Sequence, residues 1–222
     1  MIEEGTSFMT SNIILFVAAY LLGSIPSGVW IGRIFFHKDI RKYGSGNTGT
    51  TNTFRVLGQK AGISVFVIDL LKGTLATCLP YIFGSSINPL WFGLAAILGH
   101  TFPIFASFKG GKAVATSGGL LLGYNPAFFF FSLALYLIIL YITSTVSLTS
   151  MLSAIIITLS TLILPYIAPG ILPAHDWLLT LIALGLTIFI CLRHKENVGR
   201  IKSGTESTIG FGRKKKKQAR VK

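Results

Sequence analysis

Long apolar blocks with almost no charge alternate along this chain with short polar stretches. A helix needs about 20 apolar residues to cross the hydrocarbon core of a bilayer. Five blocks reach that length, at residues 12–36, 61–83, 88–106, 147–168 and 175–192. A sixth block, 113–143, is too long for one crossing without strong tilt. It contains Gly123-Tyr124-Asn125-Pro126, a turn signal.

Charge decides how that block is read. Nineteen of the twenty lysines and arginines fall at 33–60, 109–112 and 193–222, and only Lys72 lies elsewhere. Lys and Arg favour cytoplasmic loops. All three basic stretches share one side of the membrane only if 113–143 crosses twice. Residues 1–11, 84–87 and 169–174, which then face the other side, contain no Lys or Arg. The pattern predicts an all-α, polytopic integral membrane protein with seven transmembrane helices, N-terminus outside and C-terminus cytoplasmic. Its fourth helix, 110–123, would be short, about 20 Å at the helical rise.

Composition agrees. Of 222 residues, 51% are hydrophobic and 12% charged, against about a quarter charged in a soluble domain; mean hydropathy is +0.68. One membrane domain over 1–206 accounts for the chain, followed by a basic tail, 207–222. The run Arg213 to Lys217 reads as a disordered arm on anionic lipid headgroups. A net charge of +13 raises the question of nucleic acid, but its placement between apolar blocks excludes that as the main reading. Cys78 and Cys191 lie in apolar blocks, and no Cys/His grouping has metal-ligand spacing, so no metal or cofactor is expected. Glu3 and Glu4 precede the first block, which a cleaved signal peptide would not favour.

Three polar segments carry candidate chemistry. The first includes Gly44, Ser45, Gly46, Asn47, Gly49, Thr50, Thr51, Asn52 and Arg55, with hydroxyl and amide donors at Ser45, Asn47, Thr50, Thr51 and Asn52. Its glycines permit positive φ and bring N–H groups together into an anion-binding concavity; Arg55 offers a fork suited to phosphate. The second, Lys109-Gly110-Gly111-Lys112, precedes an apolar helix, whose N-terminus would favour an anion. It lacks the spacing of a Walker loop. In the third, His194 and Asn197 are three residues apart on one helix face and could position a hydroxyl, with the imidazole taking its proton; a basic helix terminus is the plainer reading of that segment alone. Asp69, Lys72 and His100 lie inside apolar blocks, where ionisable groups are costly; Asp69 and Lys72 are spaced to pair.

These residues resemble a known family. Gly23-Ser24-Ile25-Pro26, Gly44-Ser45-Gly46-Asn47 with Thr51-Asn52 and Arg55, Asp69 with Lys72-Gly73, Gly99-His100, Phe108 to Lys112 with Val114-Ala115-Thr116, and His194 with Asn197, Arg200, Gly204 and Glu206 follow in order. Over about residues 12–206 the chain resembles the bacterial acyl-phosphate-dependent glycerol-3-phosphate acyltransferases. The resemblance implies a seven-helix enzyme of the bacterial inner membrane that works at the cytoplasmic face. It would transfer an acyl group from acyl phosphate to the 1-hydroxyl of sn-glycerol 3-phosphate, giving lysophosphatidic acid and phosphate in the first step of phospholipid synthesis. It makes Ser45 and Arg55 essential, the 109–112 segment a phosphate site, His194 and Asn197 catalytic, and Glu206 a residue of structural integrity. Two departures are visible: Ala113 stands where the family commonly has another Gly, and Thr50 where Ala is usual.

The expected mechanism has the 44–52 loop hold acyl phosphate, and Lys112, Arg55 and Lys109 hold glycerol phosphate. Ser45, His194 and Asn197 orient the attacking hydroxyl, whose proton goes to His194 or to the leaving phosphate. The three segments are expected to meet in one pocket on the cytosolic leaflet. A transporter of phosphorylated metabolites would share the cationic loops, but predicts symmetry-related broken helices. A lipid-binding scaffold would need neither Ser45 nor His194.

Overall fold

The computed structural model describes residues 2–209. Among the described residues there are ten α-helices and no strand: α1 (Ile2–Ser24), α2 (Ser27–Phe36), α3 (Thr50–Leu57), α4 (Gln59–Phe83), α5 (Pro89–Thr101), α6 (Val114–Tyr124), α7 (Pro126–Thr143), α8 (Val146–Ile167), α9 (Trp177–Arg193) and α10 (Lys195–Lys202). The basic run at 213–217 lies outside the described residues. Four stretches are long and apolar enough to cross a membrane, at Gln59–Phe83, Pro89–Ala106, Pro126–Thr143 and Val146–Ile167. Two bent pairs, α1 with α2 and α9 with α10, meet the same standard when each is taken as one span. The break expected within 113–143 is present. Asn125 has extended backbone at the end of α6, and α7 begins at Pro126.

The described residues form two compact units, divided between Pro126 and Ala127. In the first, α1, α4 and α5 share a core of Leu15, Ala19, Ala76, Phe92 and Ala96, where Phe16 stacks on Phe92 with centroids 4.3 Å apart. Large apolar side chains such as Ile13, Tyr81, Ile82 and Phe83 point outward, as lipid requires. Where helices touch, small residues let backbones approach. A Cβ on Gly119 of α6 would lie 2.0 Å from the Leu70 carbonyl oxygen of α4, so only glycine fits that crossing.

The break between α1 and α2 bends the chain by 46°. Pro26 has no N–H to continue the helical ladder, so carbonyls at the break need other donors. Lys72 Nζ donates to the Ile25 carbonyl oxygen at 2.9 Å. It also pairs with Asp69 Oδ1 at 2.8 Å, as the spacing predicted. Ser27 Oγ donates to the same Asp69 oxygen at 2.8 Å. Both ionic side chains are buried. Removing one partner of such a pair costs about 3–5 kcal/mol because the other charge is stranded.

In the second unit a threonine ladder joins α8 and α9. The Thr158 and Thr187 hydroxyls are 2.8 Å apart, Thr180 donates to Thr161 at 3.0 Å, and Thr187 donates to the Ala154 carbonyl at 2.9 Å. Interhelical hydrogen bonds of this kind contribute about 0.6 kcal/mol each in a membrane. Asp176 caps α9 by accepting from the Leu179 N–H at 2.9 Å.

The Gly119 contact is testable. Gly119→Ala should destabilise the protein by about 1–3 kcal/mol, the usual range for overpacking, and lower its thermal midpoint in detergent. Gly185→Ala on α9, where an added Cβ meets nothing within 4 Å, should leave the midpoint unchanged or slightly raised.

Candidate active site

The first polar loop folds around one side chain. Asn52 of α3 is buried. Its amide nitrogen donates to the carbonyls of Ile40 at 3.0 Å, Tyr43 at 3.1 Å and Asn47 at 2.9 Å. Its Oδ1 accepts from the Ser45 N–H at 2.9 Å. Asn52 was expected to bind substrate; its donors and acceptor are instead occupied by the loop it shapes. Gly44 and Gly46 have φ of +62° and +69°, the left-handed region where glycine carries no penalty. Asn47 Oδ1 accepts from the Gly49 N–H at 2.9 Å, closing an Asx-turn ahead of α3. The result presents Ser45, Thr51 and Arg55 on the exposed side.

Asp39 caps the short turn, Ile40–Lys42, that leads into the loop. Its carboxylate accepts from Arg41 Nε at 2.9 Å, Arg41 NH2 at 2.6 Å and Arg33 at 2.8 Å. Hydrogen bonding from Arg41, with further help from Arg33, holds the carboxyl well below the usual carboxylate range despite burial. The same contact raises Arg41. Asp39 and Arg41 were not singled out from sequence; an Asp two residues before an Arg is too common a pattern to flag.

The second loop departs from expectation in one respect. Its helix begins at Val114, and the N–H groups of Gly110 and Gly111 do not face outward to an anion. They donate to the carbonyls of Thr101 and His100, both at 3.1 Å, covering the end of α5. The glycines are there because the loop runs hard against α5: a Cβ on Gly110 would lie 2.1 Å from the His100 carbonyl oxygen. Lys109 is exposed and Lys112 half-buried. Ala113 takes φ +60°, ψ +8°, a left-handed conformation costing a non-glycine residue about 1–2 kcal/mol. The position where glycine is common is therefore one that glycine suits.

Neither α3 nor α6 has a side-chain cap at its N-terminus. Uncapped first-turn N–H groups and the helix dipole favour an anion there. In those first turns the hydroxyls of Thr50 and Thr116 are buried without a hydrogen-bond partner. Thr50 was expected among the hydroxyl donors of the first loop; Thr116 was not among the expected site residues. A threonine in an apolar surrounding gives no sign in sequence that its hydroxyl goes unpaired.

Asp69, Lys72 and His100 line one recess with Ile25, Pro26, Ser27, Thr48 and Pro103. His100 Nδ1 lies 3.6 Å from Asp69 Oδ1.

In the second unit, α9 and α10 bend by 54° at His194. The imidazole is buried, with Nδ1 2.8 Å from the Ile190 carbonyl oxygen. A carbonyl oxygen only accepts, so Nδ1 carries hydrogen and Nε2 is the basic nitrogen of the neutral ring. Asn197, also buried, donates to Glu206 Oε1 at 2.7 Å. Ser147 donates to the same oxygen at 3.1 Å, and Arg200 Nε to Oε2 at 2.7 Å. Burial pushes the Glu206 carboxyl up, but the hydrogen bonds from Arg200, Asn197 and Ser147 outweigh it and leave the pKa below 4.5.

Comparison with known proteins follows this geometry. The model of the family described as glycerol-3-phosphate acyltransferase matches residues 13–204. The chain is 67% identical over 206 residues to the glycerol-3-phosphate acyltransferase of Enterococcus faecalis, covering 92% of this chain and 95% of that one. It is 54% identical over 211 residues to that of Lactococcus lactis subsp. lactis, covering 95% and 99%. Its structure is similar to the crystal structure of PlsY (YgiH), an integral membrane glycerol 3-phosphate acyltransferase, in the glycerol 3-phosphate form: TM-score 0.78, 37% identity, 90% of this chain and 96% of that one. The lysophosphatidic acid form gives a TM-score of 0.74 over the same shares, at 36% identity.

Two predictions follow from the hydrogen bonds above. Asn52→Asp keeps the side-chain shape but turns an acceptor toward three carbonyl oxygens. It should cost about 1–3 kcal/mol, as for a buried group left unsatisfied, visible as a lowered thermal midpoint together with lost turnover. For Glu206 the folded pKa lies below the unfolded one, so its stabilisation is full above pH 4.5 and is lost as pH falls below that value. Glu206→Gln should lower the midpoint at neutral pH by about 1 kcal/mol, the charged hydrogen bond discounted for the exposed side of Arg200. It should also flatten the decline below pH 4.5.

Proposed function

We propose a reaction for this chain, which belongs to the glycerol-3-phosphate acyltransferase family: it takes the acyl group from acyl phosphate and places it on the 1-hydroxyl of sn-glycerol 3-phosphate. The protein is an integral membrane acyltransferase. The donor, the residues' roles and the sidedness are our reading. The observation that carries it is that a chain of this family has all three polar segments, with Ser45, Arg55, Lys112, His194 and Asn197 in place.

In the reaction the glycerol hydroxyl oxygen attacks the acyl carbonyl carbon. The bond from that carbon to the phosphate oxygen breaks, and phosphate leaves with the electron pair. The donor is already activated, so the protein has chiefly to position the reactants and stabilise charge. The first loop, with the uncapped start of α3 and the Thr50 hydroxyl, holds the acyl phosphate. Arg55, Lys109 and Lys112, with the start of α6, hold the glycerol phosphate. Gly110 and Gly111 let the second loop close on α5 and donate no hydrogen bond to substrate. Ser45 and Asn197 orient the attacking hydroxyl, and His194 Nε2 accepts its proton. Glu206 fixes Asn197. No metal or cofactor takes part. Residues 1–206 act as one catalytic domain with seven crossings of the bacterial inner membrane, its motifs cytoplasmic and its N-terminus outside.

The test is turnover. Purified protein in detergent or lipidic cubic phase, given acyl phosphate and glycerol 3-phosphate, should release one phosphate per lysophosphatidic acid formed. Intact substrate binding with no phosphate release would overturn the donor assignment. His194→Ala should lower kcat by about 10²–10⁴, the usual contribution of a general base; near-full kcat would remove the imidazole from that role. An acyl group trapped on Ser45 would replace direct attack by a two-step route.

A further inference from the structure

Asp69 is held by two parts of the chain that lead to different loops. The first contact is Ser27, which donates to Asp69 Oδ1 at 2.8 Å and opens α2. The next residue, Gly28, lies against the first loop: a Cβ there would be 2.2 Å from the Thr48 carbonyl oxygen. The second contact is His100, with Nδ1 3.6 Å from the same Asp69 oxygen. Its ring lies against the second loop, where a Cβ on Gly111 would be 2.1 Å from His100 Nε2. The Gly111 N–H also donates to the His100 carbonyl at 3.1 Å. The backbone of the first loop thus rests on Asp69 through Ser27 and Gly28, and that of the second through His100.

That anchor is stiff. Lys72 holds Asp69 at 2.8 Å and the Ile25 carbonyl at 2.9 Å. Moving the carboxylate would leave a charge unpaired away from water. We infer that Asp69, acting through Ser27 and His100, is a positioning residue that sets the separation of the two loops, and with it the alignment of the two phosphorylated substrates. This rests on the assignment made above, with acyl phosphate on the first loop and glycerol phosphate on the second-loop lysines and Arg55. Its signature is particular. A changed separation spoils the approach of hydroxyl to carbonyl, while the long, exposed Arg55 side chain can still reach the glycerol phosphate held by the lysines of the second loop, so kcat falls much more than affinity does. A displacement of 1 Å is enough to cost about 10² in rate.

The experiment severs each contact alone and then both. Ser27→Ala, His100→Leu and the double variant are assayed for kcat, for glycerol 3-phosphate affinity by calorimetry in detergent, and for thermal midpoint. Each single variant should lose about tenfold or more in kcat, with affinity within about threefold of the parent. Because both contacts serve one separation, the double variant should be no slower than the worse single, whereas independent sites would multiply their losses. His100→Asn, which keeps a polar nitrogen near the Nδ1 position, should recover part of the rate. If His100→Leu does not fold, Ser27→Ala and His100→Asn carry the cycle. Multiplying losses, affinity falling in step with kcat, or folded variants at parental kcat would each overturn the inference. Should the parent turn over only with another acyl donor, the donor assignment fails separately, and the same comparison is made with that donor.

Discussion

A carboxylate placed inside a membrane helix has to be neutralised where it stands, because no water reaches it to share the charge. In this protein that requirement draws three elements together around Asp69. Lys72 supplies the counter-charge from the same helix, Ser27 supplies a hydroxyl from the far side of a broken span, and His100 closes in from α5. The Ile25 carbonyl, which accepts the Ser27 N–H at the break, also takes a second hydrogen of the same ammonium group. One lysine thus neutralises the buried carboxylate and braces the broken span.

Glu206 solves a related problem at the polar end of the second unit. It too accepts from a hydroxyl and a nitrogen cation, Ser147 and Arg200, and it adds the amide of Asn197. The Ile209 N–H, three residues on, donates to the Ser144 carbonyl, so the chain after α10 is tied back to the turn that precedes α8. The cluster gives Asn197 a fixed orientation that a short, exposed helix could not enforce alone.

Much of this was legible in the sequence because it depends on local spacing. The apolar blocks, the break at Asn125, the pairing of Asp69 with Lys72 and the loop glycines all follow from residues a few positions apart. What could not be read depends on residues far apart. Block 12–36 gave no warning that Lys72 would steady a break in its middle. The amides of Gly110 and Gly111 looked available until α5 was seen to take them. Asn52 looked like a substrate donor because nothing in its neighbours reveals that three carbonyls face it. The unpaired hydroxyls of Thr50 and Thr116 are invisible for the same reason: a missing partner is a property of the packing.

Ala113 is both left-handed and enclosed. Its φ excludes β-branched side chains, and its surroundings exclude long ones. The position thus favours a small residue that tolerates positive φ, glycine above all. A demand for smallness here therefore speaks of how the chain turns and not of any reaction it performs.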